Sequence, residues 1–166
     1  MVNGTVNTGQ WMLLGPDDNG KYQEVQILCI HCKEIKVLSV KAGHFCSFEF
    51  NDHYPVRSGM VLLDTEAMPT AAYTFECELV VTDDVTGPRT MKSTYQPVVH
   101  VGMIKQSAKL VAGDVTEIRH DEMFRVKLQF IYHPVYLVPG AKLLIKDTFM
   151  TAVGTITEVD YITYSE

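Results

Sequence analysis

Tyr95-Gln96-Pro97-Val98-Val99-His100-Val101-Gly102-Met103-Ile104-Lys105-Gln106-Ser107-Ala108, continuing into Lys109-Leu110, holds no apolar repeat at helical spacing and reads as extended chain. Successive side chains of an extended strand point to opposite faces. The sequence therefore predicts one strand over Val98–Leu110, with His100 on a face shared by Val98, Gly102 and Ile104. Lys105 and Lys109 share a face as well.

A period of two marks the chain on either side of this stretch. Tyr73, Phe75, Cys77, Leu79 and Val81 alternate with Thr74, Glu76, Glu78 and Val80. Phe124, Val126, Leu128, Phe130 and Tyr132 alternate with Arg125, Lys127, Gln129 and Ile131. Further strands are expected around Trp11–Leu14, Tyr22–Cys32, Phe45–Phe50, Gly59–Leu63, Lys142–Lys146 and Thr155–Tyr161. No segment holds apolar residues at helical spacing for three turns, so helix should be scarce. Turn chemistry separates the runs at Gly15-Pro16-Asp17-Asp18-Asn19-Gly20, Asp83-Asp84-Val85-Thr86-Gly87-Pro88 and Val138-Pro139-Gly140. Asp64–Ala71 is poor in apolar residues and is the best linker. The expected fold is all-β, in two small barrels: residues 1–66, the first and incomplete, and residues 67–166.

Composition narrows the function classes. The 166 residues are 46 % hydrophobic and 20 % charged, the balance of a folded globular protein. No apolar run approaches the roughly 20 residues of a transmembrane helix, and Met1–Thr5 has neither the basic nor the apolar region of a secretory signal. A cytoplasmic location with no membrane partner is the expectation. Four cysteines, Cys29, Cys32, Cys46 and Cys77, fit a reduced cytosolic protein as well as anything else, and their spacing is not that of a small secreted disulfide scaffold. A net charge of −6 argues against bulk electrostatic grip on DNA.

Chemistry of its own is hard to find in the chain. Gly87-Pro88-Arg89-Thr90-Met91-Lys92-Ser93 is the nearest approach to a phosphate-cradling loop. It lacks the second glycine, and Pro88 removes a backbone donor. Asp17-Asp18-Asn19-Gly20 spells the short D-x-x-G of GTPase switches, but a turn between strands produces the same spelling. Cys29-Ile30-His31-Cys32 has chelate spacing for zinc, yet strand positions i and i+3 face opposite ways unless a bulge intervenes. Cys46 with His44 is no stronger than any other Cys/His pair. No catalytic residue, metal site or nucleotide site is assigned within the chain.

Several motifs, in order, resemble a known family. Gly9-Gln10-Trp11-Met12-Leu13-Leu14-Gly15-Pro16, Ile30-His31, Val40-Lys41-Ala42-Gly43-His44 and Arg57-Ser58-Gly59-Met60-Val61-Leu62 resemble domain II of translational GTPases. Phe75–Leu79, Tyr95–Ala108, Leu143–Asp147 and Ala152-Val153-Gly154-Thr155-Ile156 resemble domain III. The set is similar to elongation-factor-Tu-like proteins, and most similar to the eukaryotic GTP-binding protein 1 and 2 family. In that family, domain II opens with a strand before the position of Asn3-Gly4, so the chain is expected to start inside the domain and to lack that strand. Lys146–Thr151 replaces the family's R-E-G-R-T-K run, which weakens the basic character of that hairpin.

The resemblance implies a protein that, when intact, binds GTP with magnesium through a GTPase domain joined in cis, and works with the ribosome or tRNA. This chain would supply partner-facing surface, with no cofactor of its own. The motif residues are Tyr95, His100, Gly102, Gln106 and Gly154. Tyr95, Gln106 and Gly154 on neighbouring strands can fix barrel register or face a partner, and the structural role is favoured. A packed histidine is the favoured reading of His100. Candidates for RNA contact are Lys105, Lys109, Arg125 and Lys127, joined more weakly by Lys33, Lys36, Lys41 and Arg119. Two alternatives stay open: a free-standing acidic β-barrel that binds proteins, and an elongation factor proper that delivers tRNA.

Overall fold

The computed structural model describes residues 3–82, 89–111, 114–146 and 148–163. None of these residues is helical, and so none offers an apolar helix long enough to cross a membrane. The strands of the first part are β1 (Thr5–Asn7), β2 (Trp11–Gly15), β3 (Gln23–Cys32), β4 (Ile35–Val37), β5 (Ser39–Lys41), β6 (Ser47–Phe50) and β7 (Val61–Asp64). Those of the second are β8 (Ala72–Val81), β9 (Arg89–Met91), β10 (Val98–Val101), β11 (Ile104–Leu110), β12 (Val115–Ile118), β13 (Met123–Phe130), β14 (Lys142–Lys146) and β15 (Thr151–Tyr161). The chain divides into two compact units. One comprises Met1–Gly15 and Tyr22–Pro69, the other Pro16–Lys21 and Thr70–Glu166.

The first unit is an open sheet. Its order is β4-β3-β2-β7, with β6 also pairing β3, and a separate two-stranded sheet joins β1 to β5. Val6, Met12, Ile27, Ile30 and Val40 form its small core. Ile27 and Ile30 both reach that core because the β3–β6 register slips between Ile27 and Cys29. A bulge of this kind resets which residues share a face. The bulge was the condition for a Cys29/Cys32 metal pair, but it does not bring the two together. Beyond it Cys29 and His31 lie on one face and Ile30 and Cys32 on the other.

The second unit is a closed barrel in the order β10-β11-β13-β8-β15-β14. Inward residues alternate as the pleat requires: Phe75, Cys77, Leu79 and Val81 from β8, and Val126, Leu128 and Phe130 from β13, are all buried. Phe75 and Phe130 stack at 5.0 Å between ring centroids. The ribbon of β12 with β9 adds Met91 and Ile118 to the same core.

The stretch expected to be one strand is a hairpin. Val101 pairs with Ile104, and Gly102 and Met103 make the turn. Gly102 has φ +56°, in the left-handed region that a two-residue hairpin turn assigns to glycine. This overturns the face assigned to His100. Val99, Val101 and Ile104 point into the core, while His100 is half-buried on the outer face. The expected turn over Asp83–Pro88 lies outside the described residues, as do Gly87-Pro88 of the phosphate-loop spelling and Asp147.

Candidate functional site: the outer face of the barrel

Two of the motif residues hold the barrel together. Gln106 lies on β11 between the buried Ile104 and Ala108. Its amide Nε2 donates to the His133 carbonyl at 3.0 Å, and its Oε1 accepts from the His133 N–H at 3.2 Å. One side chain therefore satisfies both backbone groups of a residue that follows β13. Gly154 of β15 stands opposite Leu79 of β8 and Leu143 of β14. Tyr95 packs against Phe149 with ring centroids 4.8 Å apart. His100 stands between Lys105 of β11 and Leu144 of β14. His133 carries no sequence motif; the Gln106 bonds to its backbone and the 2.9 Å approach of its Nδ1 to Asp18 Oδ1 single it out.

The four candidate RNA contacts separate into two environments. Arg125 pairs across the ladder with Glu78, and Lys127 with Glu76. The Arg125 guanidinium is ion-paired to Glu78 Oε1. Lys127 Nζ lies 2.8 Å from Asp160 Oδ2 and 3.7 Å from Glu76 Oε1. Both cations are held above their ordinary pKa values. For Arg125 the hydrogen bond to Glu78 is the main cause, and for Lys127 the one to Asp160. Glu158, opposite Glu76 on β15, completes this acidic strip.

Lys105 and Lys109 are exposed on β11. Neither has an ion-pair partner among the described residues. His100 stands beside Lys105, and Gln129 beside Lys109. The barrel exterior thus passes from basic on β10–β11, through paired charges on β13, to acidic on β8–β15.

The remaining candidates resolve into turn and strand chemistry. Asp17 Oδ1 accepts from the backbone N–H groups of Asn19 and Lys21 at 2.9 and 2.8 Å. The D-x-x-G spelling is thus a side-chain-stabilised turn between β2 and β3. Residues 89–91 of the phosphate-loop spelling are strand, and the Ser93 N–H donates to Asp114 Oδ1 at 2.6 Å. His44 Nδ1 donates to the Lys41 carbonyl at 3.2 Å. Among the described residues no three His, Cys, Asp or Glu side chains are grouped to hold a metal ion. Cys29 Sγ lies 3.7 and 3.8 Å from the two ring nitrogens of His31, and Cys32 turns instead to the Phe45 carbonyl.

No protein-family profile matches the chain. Similarity to curated proteins extends over all of it. GTP-binding protein 2 of Mus musculus is 31 % identical over 171 aligned residues, covering 100 % of this chain and 28 % of the mouse protein. The Homo sapiens protein of the same name gives the same figures. GTP-binding protein 1 of Xenopus laevis is 31 % identical over 160 residues, 95 % of this chain and 24 % of its own length. The chain thus spans about a quarter of the relatives it matches. Along its whole length, this chain is a relative of GTP-binding proteins 1 and 2.

Proposed function

We propose that this chain is the domain II–III portion of an elongation-factor-like GTP-binding protein, and that it supplies partner-facing surface rather than the nucleotide site. One observation carries the reading: similarity to two named GTP-binding proteins runs through the whole chain while occupying about a quarter of their length. In the intact protein, a GTPase domain in cis would bind GTP and magnesium and turn the nucleotide over. The β units would act as bodies that the nucleotide-driven switch moves or presents. Work on the ribosome or tRNA, in the cytoplasm, is the setting this reading gives. Within the chain, Lys105 and Lys109 are the cations best placed for RNA phosphates, because carboxylates do not engage them as they do Arg125 and Lys127.

An antibody raised against this chain, used on the source cells, tests the reading. A band several times larger than 18.7 kDa is the expected result, followed by GTP-dependent co-sedimentation of that larger protein with ribosomes. A band near 18.7 kDa overturns it. One observation favours a second reading, a protein-binding module. On the outer face of β13, β8 and β15, the carboxylates of Glu76, Glu78, Glu158 and Asp160 outnumber the cations of Arg125 and Lys127. Capture of a basic protein partner by the 18.7 kDa species itself would establish that alternative.

A further inference from the structure

The β3–β6 ladder pairs Ile30 with Phe48 and His31 with Ser47. One step further along the same antiparallel register, Cys32 meets Cys46. β3 ends at Cys32 and β6 begins at Ser47, so this meeting lies just past the last pair of the ladder. Cys32 Sγ donates to the Phe45 carbonyl at 3.4 Å, which brings the sulfur to the peptide leading into Cys46. Both are free thiols and both are half-buried. Cys46 packs against the first unit's core. Burial pushes its thiol up from the ordinary value, and the nearby Cys32 raises it further.

Directly opposed strand residues carry Cβ atoms about 4.5–5.5 Å apart, and a disulfide needs about 3.5–4.5 Å. The gap of about 1 Å falls at a strand end, where the backbone can give. The other cysteines are poor competitors. Cys29 faces the opposite side of β3 and lies against His31, and Cys77 is buried in the barrel core of the second unit.

We propose that Cys32 and Cys46 form a reversible disulfide across the ends of β3 and β6, a redox-sensitive clasp on the first unit. The oxidant is a small-molecule disulfide of the glutathione class. The Cys32 thiolate attacks one sulfur of glutathione disulfide and expels one glutathione thiolate, leaving a mixed disulfide. Cys46 gives up its proton, attacks the Cys32 sulfur and expels the second glutathione. Two protein thiols are oxidised and one glutathione disulfide is reduced to two thiols. The bridge closes a loop over residues 33–45, which contains β4 and β5. β5 pairs with β1, so the clasp restrains the strands least tied to the main sheet.

The test incubates the reduced full chain with glutathione disulfide and maps its unreduced peptides by mass spectrometry. The expected result is a peptide bearing Cys32 cross-linked to one bearing Cys46, with loss of two hydrogens. Cys32→Ser and Cys46→Ser should each abolish the cross-link, while Cys29→Ser keeps it; Cys46→Ala repeats the second test if the serine variant does not fold. The clasp should raise the melting temperature of the first unit by roughly 5–10 °C, reversibly with dithiothreitol. A glutathione adduct that persists on either cysteine, or a cross-link that survives Cys46→Ala, overturns the proposal.

Discussion

A Cβ placed on Gly154 would run into the Glu78 carbonyl oxygen of the neighbouring strand and stand 2.8 Å from Leu79 Cδ2. Backbone of a paired strand cannot yield as a flexible side chain can, so Gly154→Ala should cost about 3 kcal/mol or more. Urea unfolding of the chain followed by near-ultraviolet circular dichroism measures it. The sequence placed Gly154 among motif residues, but a close approach between strands leaves no trace in residue order, so its cause was not legible. Cys77 was legible, as one of five alternating apolar positions. Burial pushes its thiol from an ordinary value of 9.0 to about 12. The folded chain therefore keeps this proton after the unfolded chain has lost it. The stability it contributes is complete below pH 9 and is lost as pH rises from 9 towards 12, at up to about 1.4 kcal/mol per pH unit. Unfolding midpoints across that range should show the decline, and Cys77→Ala, compared with its own neutral-pH value, should flatten it.

Between β3 and β4 the turn residues Lys33 and Glu34 have φ of 50° and 67°. Two successive left-handed residues make the hairpin turn that asparagine and glycine fill without strain. Lys33→Asn with Glu34→Gly should stabilise the first unit by about 1 kcal/mol, read as a higher denaturant midpoint at unchanged slope. On the proposed reading, in which β11 meets RNA phosphates, reversing charge at Lys105 and Lys109 should weaken tRNA binding and reduce its log–log salt slope by about 2. Arg125→Ala should leave that slope in place, because Glu78 already engages the guanidinium. Binding titrations over a range of salt concentrations decide this. Most long strands could be read from alternation alone, since β8 and β13 each bury one face. The β10–β11 hairpin could not. Residues from Val98 to Ile104 are apolar on both faces, so the change of phase at Gly102-Met103 is invisible to a period-two reading. β1, β4, β5 and β9 span three residues each, too few to show a period.

In the whole barrel, closure joins the two ends of its sequence. β15 lies between β8, the barrel's first strand along the chain, and β14. Its ladder with β8 runs from Ala152 opposite Val81 to Tyr161 opposite Ala72. Removing residues 151–166 therefore opens two seams at once and uncovers Phe75, Cys77 and Leu79. The shortened chain should lose cooperative unfolding of the second unit and bind a hydrophobic dye, while the first unit keeps its own transition in a calorimeter. The all-β class could be read from the sequence, but which strands close the circle could not, because pairing across some 70–90 residues depends on three-dimensional competition among edges. The position of β15 also bears on synthesis. A ribosome releases the chain from its N-terminal end, so β8, β10, β11, β13 and β14 leave the exit tunnel with the barrel still open. Only when Tyr161 has cleared the tunnel can the last seam be sealed, and a message that stops before the codons of β15 yields an unsealed product with bare edges for quality-control proteases to find.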